Sequence, residues 1–152
     1  MSTQIQKQLD DVQKLLDGIR AEMKSQPAQS DYQACYNCWN DWTKKNKKMI
    51  QLPFPTAQTT EEHSSNAHHM LIHIVPVERG NWKPDYNNSS QDKWEPRFYM
   101  NSSGSGFAYA YCAGWHASAD CGSRLCTLTS EMCERIAKEF STIYKVKMMY
   151  EQ

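Results

Sequence analysis

From the N-terminus, apolar residues fall at Ile5, Leu9, Val12, Leu16, Ile19 and Met23, an unbroken 4-3-4-3-4 spacing. An α-helix gathers positions three and four apart onto one stripe, and strict alternation of the two spacings predicts a coiled-coil seam. Leucine or methionine stands at a (Leu9, Leu16, Met23) and a β-branched residue at d (Ile5, Val12, Ile19). That distribution favours more than two strands. Leu15 at g widens the stripe, which also suits three or four strands. The other flanking positions, Gln6, Gln8, Gln13, Arg20 and Glu22, offer little charge-based choice of partner. The pattern predicts a helix over residues 3–25, broken at Pro27, within an oligomerisation segment 1–26 that pairs with copies of itself as a trimer or tetramer. The alternative is an αα-hairpin, with the stripe folded back on Tyr32, Cys35, Trp39 and Trp42.

Those four residues recur at helical spacing and predict a second helix, capped by Ser30 or Asp31 and ended by the cations Lys44, Lys45, Lys47 and Lys48. Residues 56–66 read as a polar loop. The continuous apolar run Met70–Val77 reads as a strand covered on both faces. Residues 78–96 read as loop. Arg97–Met100 and Phe107–Cys112 read as a hairpin around an Asn/Ser/Gly-rich turn. Thr129 is the expected N-cap of a last helix, with Met132, Cys133, Ile136, Ala137, Phe140, Ile143 and Tyr144 as its buried stripe. Alternation at Val146, Met148 and Tyr150 predicts a closing strand. The expectation is therefore an α+β fold: a coiled-coil helix, then a compact domain over residues 27–152 with a mostly antiparallel sheet and two helices.

Composition narrows the partners. Lys plus Arg and Asp plus Glu both number 17, so the net charge is zero, which argues against nucleic acid as a partner. No apolar stretch reaches the length of a membrane span, and the N-terminus carries no signal-peptide core. The expected location is the cytoplasm, or host cytoplasm and virion for a viral protein. Six cysteines there are expected to be reduced or metal-bound.

Two constellations carry candidate chemistry. Cys112, His116, Cys121 and Cys126 put four soft ligands within fifteen residues, a donor set suited to tetrahedral zinc, though without an adjacent CxxC pair. Otherwise Cys112 and Cys126 are small buried hydrophobes and no cofactor is needed. Trp82, Trp94 and Trp115 offer faces on which a planar ligand such as a base or sugar would stack, unless they only fill the core. Cys35-Tyr36-Asn37-Cys38 falls within an amphipathic helix whose stripe claims Cys35, so core packing is expected. His73-Ile74-Val75-Pro76-Val77-Glu78-Arg79-Gly80 resembles the first strand of HNH nucleases, without the preceding acidic residue or the downstream ligands. The alternative function is a small hydrolase or nuclease using His116, His73 and a metal. A zinc-stabilised nucleic-acid or nucleotide binder is a third reading. The residues favour a non-enzymatic homo-oligomer that presents several copies of one domain to a protein or small ligand. In architecture this resembles phage and viral structural or accessory proteins.

Overall fold

The computed structural model describes residues 8, 11–17, 29–80, 82–101, 106–116 and 123–149. Residues 11–17 are helical. The body comprises α1 (Gln29–Lys45), α2 (Thr60–Glu78), β1 (Lys93–Asn101), β2 (Gly106–Trp115), a 3-10 turn (Ser123–Leu125), α3 (Ser130–Glu139) and α4 (Ser141–Lys147). The class is α+β, but its balance differs from the expectation: the body's four α-helices accompany one two-stranded antiparallel sheet among the described residues, with the helical segment 11–17 besides.

Helix α1 forms where the aromatic stripe places it, with Cys35, Trp39 and Trp42 buried. Its end is a Schellman motif: Lys48 N–H donates to Thr43 O and Lys47 N–H to Lys44 O, with Lys47 left-handed at φ 51°.

Helix α2 corrects two expectations, the polar loop at 56–66 and the strand at Met70–Val77. Thr59 caps the helix by accepting from Glu62 N–H, and the Glu62 carboxylate accepts from Thr59 N–H in return, a full capping box. Beyond Thr60 at its start, the residues it buries, Asn66, Ala67, Met70, Leu71, Ile74 and Val75, step by three and by one, which is helical spacing. Pro76 lies in the last turn, where the carbonyl it leaves unpaired is near the helix end.

The hairpin is longer than expected at both ends, with Lys93 opposite Trp115 and Asn101 opposite Gly106, and an irregularity between Arg97 and Phe98. Thr129 caps α3 by accepting from Met132 N–H, as expected. The helix breaks at Phe140, and α4 carries the chain to Lys147 where a strand was expected. Val146 is buried as part of the helical stripe with Ile143, so its alternation with Met148 was incidental.

Helix α4 packs on both α1 and α2, and α3 lies on the hairpin. Trp39 and Trp42, Met70, Leu71 and Ile74, and Ile143 and Tyr144 form one core. Phe98 joins the hairpin to it, 5.0 Å from the Tyr144 ring.

Candidate functional site

In the helical segment 11–17, Val12, Leu15 and Leu16 are 57, 68 and 43 % exposed. These are one d, one g and one a position of the heptad, and they share a stripe. Gln13 donates to Asp17 one turn on at 3.0 Å, a polar pair outside the seam. The other seam residues, Ile5, Leu9, Ile19 and Met23, lie outside the described residues, as does Pro27. The surface that the hairpin alternative required is already occupied. Cys35 meets Met70, its Sγ 3.8 Å from Sδ, the Trp42 indole N–H donates to Glu78, and Trp39 and Trp42 are each 3 % exposed. Helices α2 and α4 cover that face of α1, which leaves the N-terminal stripe no partner there.

The Cys/His set is spread over distinct environments. Cys112 is half-buried, its thiol donating to Ser130 O at the start of α3, with the Tyr109 hydroxyl 3.3 Å away. Cys126 is fully buried and His116 is exposed, its Nε2 2.9 Å from Asp92. Cys121 lies outside the described residues. Among the described residues, no three His, Cys, Asp or Glu side chains converge as a metal site would need. Burial pushes the Cys35 thiol up to about 12, and the Cys38 thiol is also raised, as core residues require.

The three tryptophans do not share a wall. Lys93 and Trp115 are directly paired, so Trp94, the next residue, points to the opposite face of the hairpin. There it lies across Gly114, where an added Cβ would come within 3.0 Å of the ring. Trp115 stacks on Tyr86, and Trp82 stacks under Arg79. His73, expected on a strand, is on α2 with its ring 4.7 Å from that of His69 one turn before. The strand that the HNH resemblance requires is thus a helix. His73 has His69 and Lys48 as charged neighbours, whereas His116 has Asp92, so they belong to separate surroundings.

A polar chain missed in the sequence links α1 to α2. Phe54 N–H donates to Asn66 Oδ1 at 3.0 Å, which fixes the orientation of that buried amide. Asn66 Nδ2 then donates to Phe54 O and to the Tyr36 hydroxyl at 2.7 and 2.9 Å. The Tyr36 hydroxyl also hydrogen-bonds His63 Nδ1, 2.9 Å away, which extends the chain to a third residue. His63 also stacks on Tyr32 at 3.8 Å. The one legible signal was the Thr59-x-x-Glu62 box, which places His63 and Asn66 on a helix rather than in a loop.

Three histidines of α2 titrate below the usual range. Burial lowers His63 against the opposing pull of Glu62. Burial, then Lys147, His69 and Arg124, lower His68, and burial, then His69 and Lys48, lower His73. At mildly acid pH the unfolded chain therefore binds more protons than the folded one. Stability present above the unfolded value of about 6.5 is lost as pH falls through the folded values. The urea midpoint is expected to hold at neutral pH and to drop between about pH 6.5 and 5, before carboxylates titrate. A flat profile there would contradict this, and His68→Gln should make the drop shallower. No protein family matches the chain, and no curated protein and no solved structure matches it.

Proposed function

We propose that the protein is a non-enzymatic homo-oligomer in which residues 1–26 form a coiled coil that gathers three or four copies of the α+β body. Such an assembly serves construction or multivalent binding, as in phage and viral structural or accessory proteins. One observation carries the reading: Val12, Leu15 and Leu16 are exposed along one helix stripe, while the aromatic face of α1 that would cover them is consumed within the body. Fully burying a side chain of that size contributes about 1.5–3 kcal/mol. Association costs about 4–15 kcal/mol. The six seam positions of each chain, sharing one core, are what offsets that cost. The neutral flanks give no reason for a different partner chain. Several linked copies then raise avidity for whatever the body holds, with no new contact in any single copy.

The test is sedimentation equilibrium on the full chain and on a Val12→Asp, Leu16→Asp double variant. The wild type is expected as a trimer or tetramer and the double variant as a monomer. Near-ultraviolet dichroism from Trp39 and Trp42 should be unchanged, because neither substitution enters the body. A monomeric wild type overturns the reading.

A further inference from the structure

Where α2 ends, Pro76, Arg79, Gly80, Trp82 and Lys83 line an open cleft of about 440 Å³. Two of these residues are cations and none is acidic. The adjacent Glu78 is already spent, one carboxylate oxygen on the Trp42 indole and the other on Arg135. Gly80, at φ +70°, turns the chain so that Trp82 returns beside Arg79, and nothing lies within 4 Å of where its Cβ would be.

Arg79 is held rather than free. Its Nη1 donates to the carbonyls of Cys126 at 2.9 Å and Arg124 at 3.2 Å, and its guanidinium lies 5.5 Å from the centre of the Trp82 ring. Its Nε is buried with no hydrogen-bond partner, and no carboxylate among the described residues pairs with it. A guanidinium stays charged at every physiological pH, so an orphaned N–H on it is an unmet demand for an acceptor. With Nη1 consumed by the backbone, the edge that remains is Nε with Nη2. Its two parallel N–H groups match two oxygens of one phosphate or carboxylate. Lys83 adds a second charge at the cleft wall, which favours a doubly charged phosphate over a carboxylate.

We propose that this cleft binds a small phosphomonoester carried on a planar ring, of the chemical class of a nucleoside monophosphate. The phosphate sits on the Nε–Nη2 edge of Arg79 with Lys83 as second cation, and the ring lies against Trp82 and Pro76. The chain's zero net charge suits a single small ligand rather than a polymer of phosphates. The proposal does not depend on self-association, and it names what each copy of the body would hold.

Calorimetry on the full chain with adenosine monophosphate, adenosine and inorganic phosphate tests it. The monophosphate should bind, and the other two should each be weaker by about tenfold or more, having lost one half of the recognition. Arg79→Lys keeps the charge but loses the fork, and should weaken the monophosphate by about tenfold. Lys83→Gln, at an exposed position, should weaken it severalfold with unchanged circular dichroism. No binding of the monophosphate to the wild type overturns the proposal, as does adenosine binding equally well. Inorganic phosphate binding equally well overturns the role of the ring. Undiminished binding in both variants overturns the assignment to this cleft.

Discussion

Asn66→Ala is expected to lower the stability of the body by about 3 kcal/mol, read as a lower urea midpoint with an unchanged slope. Asn66 is fully buried, and its amide both accepts from and donates to the backbone of Phe54 while also donating to Tyr36. Alanine strands the Phe54 N–H and carbonyl and removes the donor to the Tyr36 hydroxyl. An unmet buried donor or acceptor costs about 1–3 kcal/mol. The loss is a large share of the about 5–15 kcal/mol that a domain of this size holds. Asn66→Asp should do no better, since it keeps the acceptor but loses both donated bonds and buries a charge. His63→Gln breaks only the last link, at a half-buried position, and should cost about 1 kcal/mol or less. An Asn66→Ala protein as stable as the wild type would mean that Phe54 and Tyr36 find water instead.

The contrast between α1 and α2 shows what the pattern of apolar residues could reveal. In α1 the stripe Tyr32, Cys35, Trp39 and Trp42 is interrupted by Gln33, Asn37, Asn40 and Asp41, so a helix fits it and an alternating strand does not. In α2 the run Met70–Val77 carries apolar residues beyond the buried stripe, Ile72 half-buried and Val77 exposed, and a buried strand shows the same sequence. The deciding clue stood upstream, in Thr59 and Glu62, and capping chemistry outranks a short apolar run. Hairpin and α3 were legible because alternation and an N-cap are local signals. The breakdown of the tryptophan set was not, because register decides which face each ring takes, and the Lys93–Trp115 pairing sends Trp94 to the other side. Arg79 was invisible for the same kind of reason. Nothing local marks it, and its importance comes from Cys126 and Arg124, distant in sequence, whose carbonyls consume half of its fork.

Lys93→Met should cost about 2–3 kcal/mol and loosen the 82–92 loop, two effects that separate if stability and amide exchange are both measured. Lys93 is fully buried, and its Nζ donates to the carbonyls of His116, Gln91 and Asn88 at 2.7, 2.9 and 3.3 Å. It also lies 5.8 and 6.0 Å from the centres of the Trp115 and Tyr86 rings. Burying an ammonium costs several kcal/mol, so methionine of similar length would be neutral if the charge had poor partners. Here three carbonyl dipoles and two ring faces surround it, and two of the carbonyls belong to the loop itself. The loop's other ties include Asp85 N–H to the Gln91 side chain and the Gln91 amide to Lys83 O, both exposed, the exposed Asp92–His116 pair, and the Tyr86 ring on Trp115. Exposed bonds of that kind contribute little alone, so the fully buried ammonium, with the Tyr86–Trp115 stack beside it, is the main hold on the loop against β2. Lys93→Arg should not rescue it, because a larger planar group overfills a fully buried site, typically by about 1–3 kcal/mol. Trp82 and Lys83 begin this loop, so the same Lys93→Met substitution should weaken the monophosphate although Lys93 is not among the residues lining the cleft. Full stability with faster amide exchange would assign Lys93 to ordering the loop, and full stability with unchanged exchange would show the carbonyls indifferent to the charge.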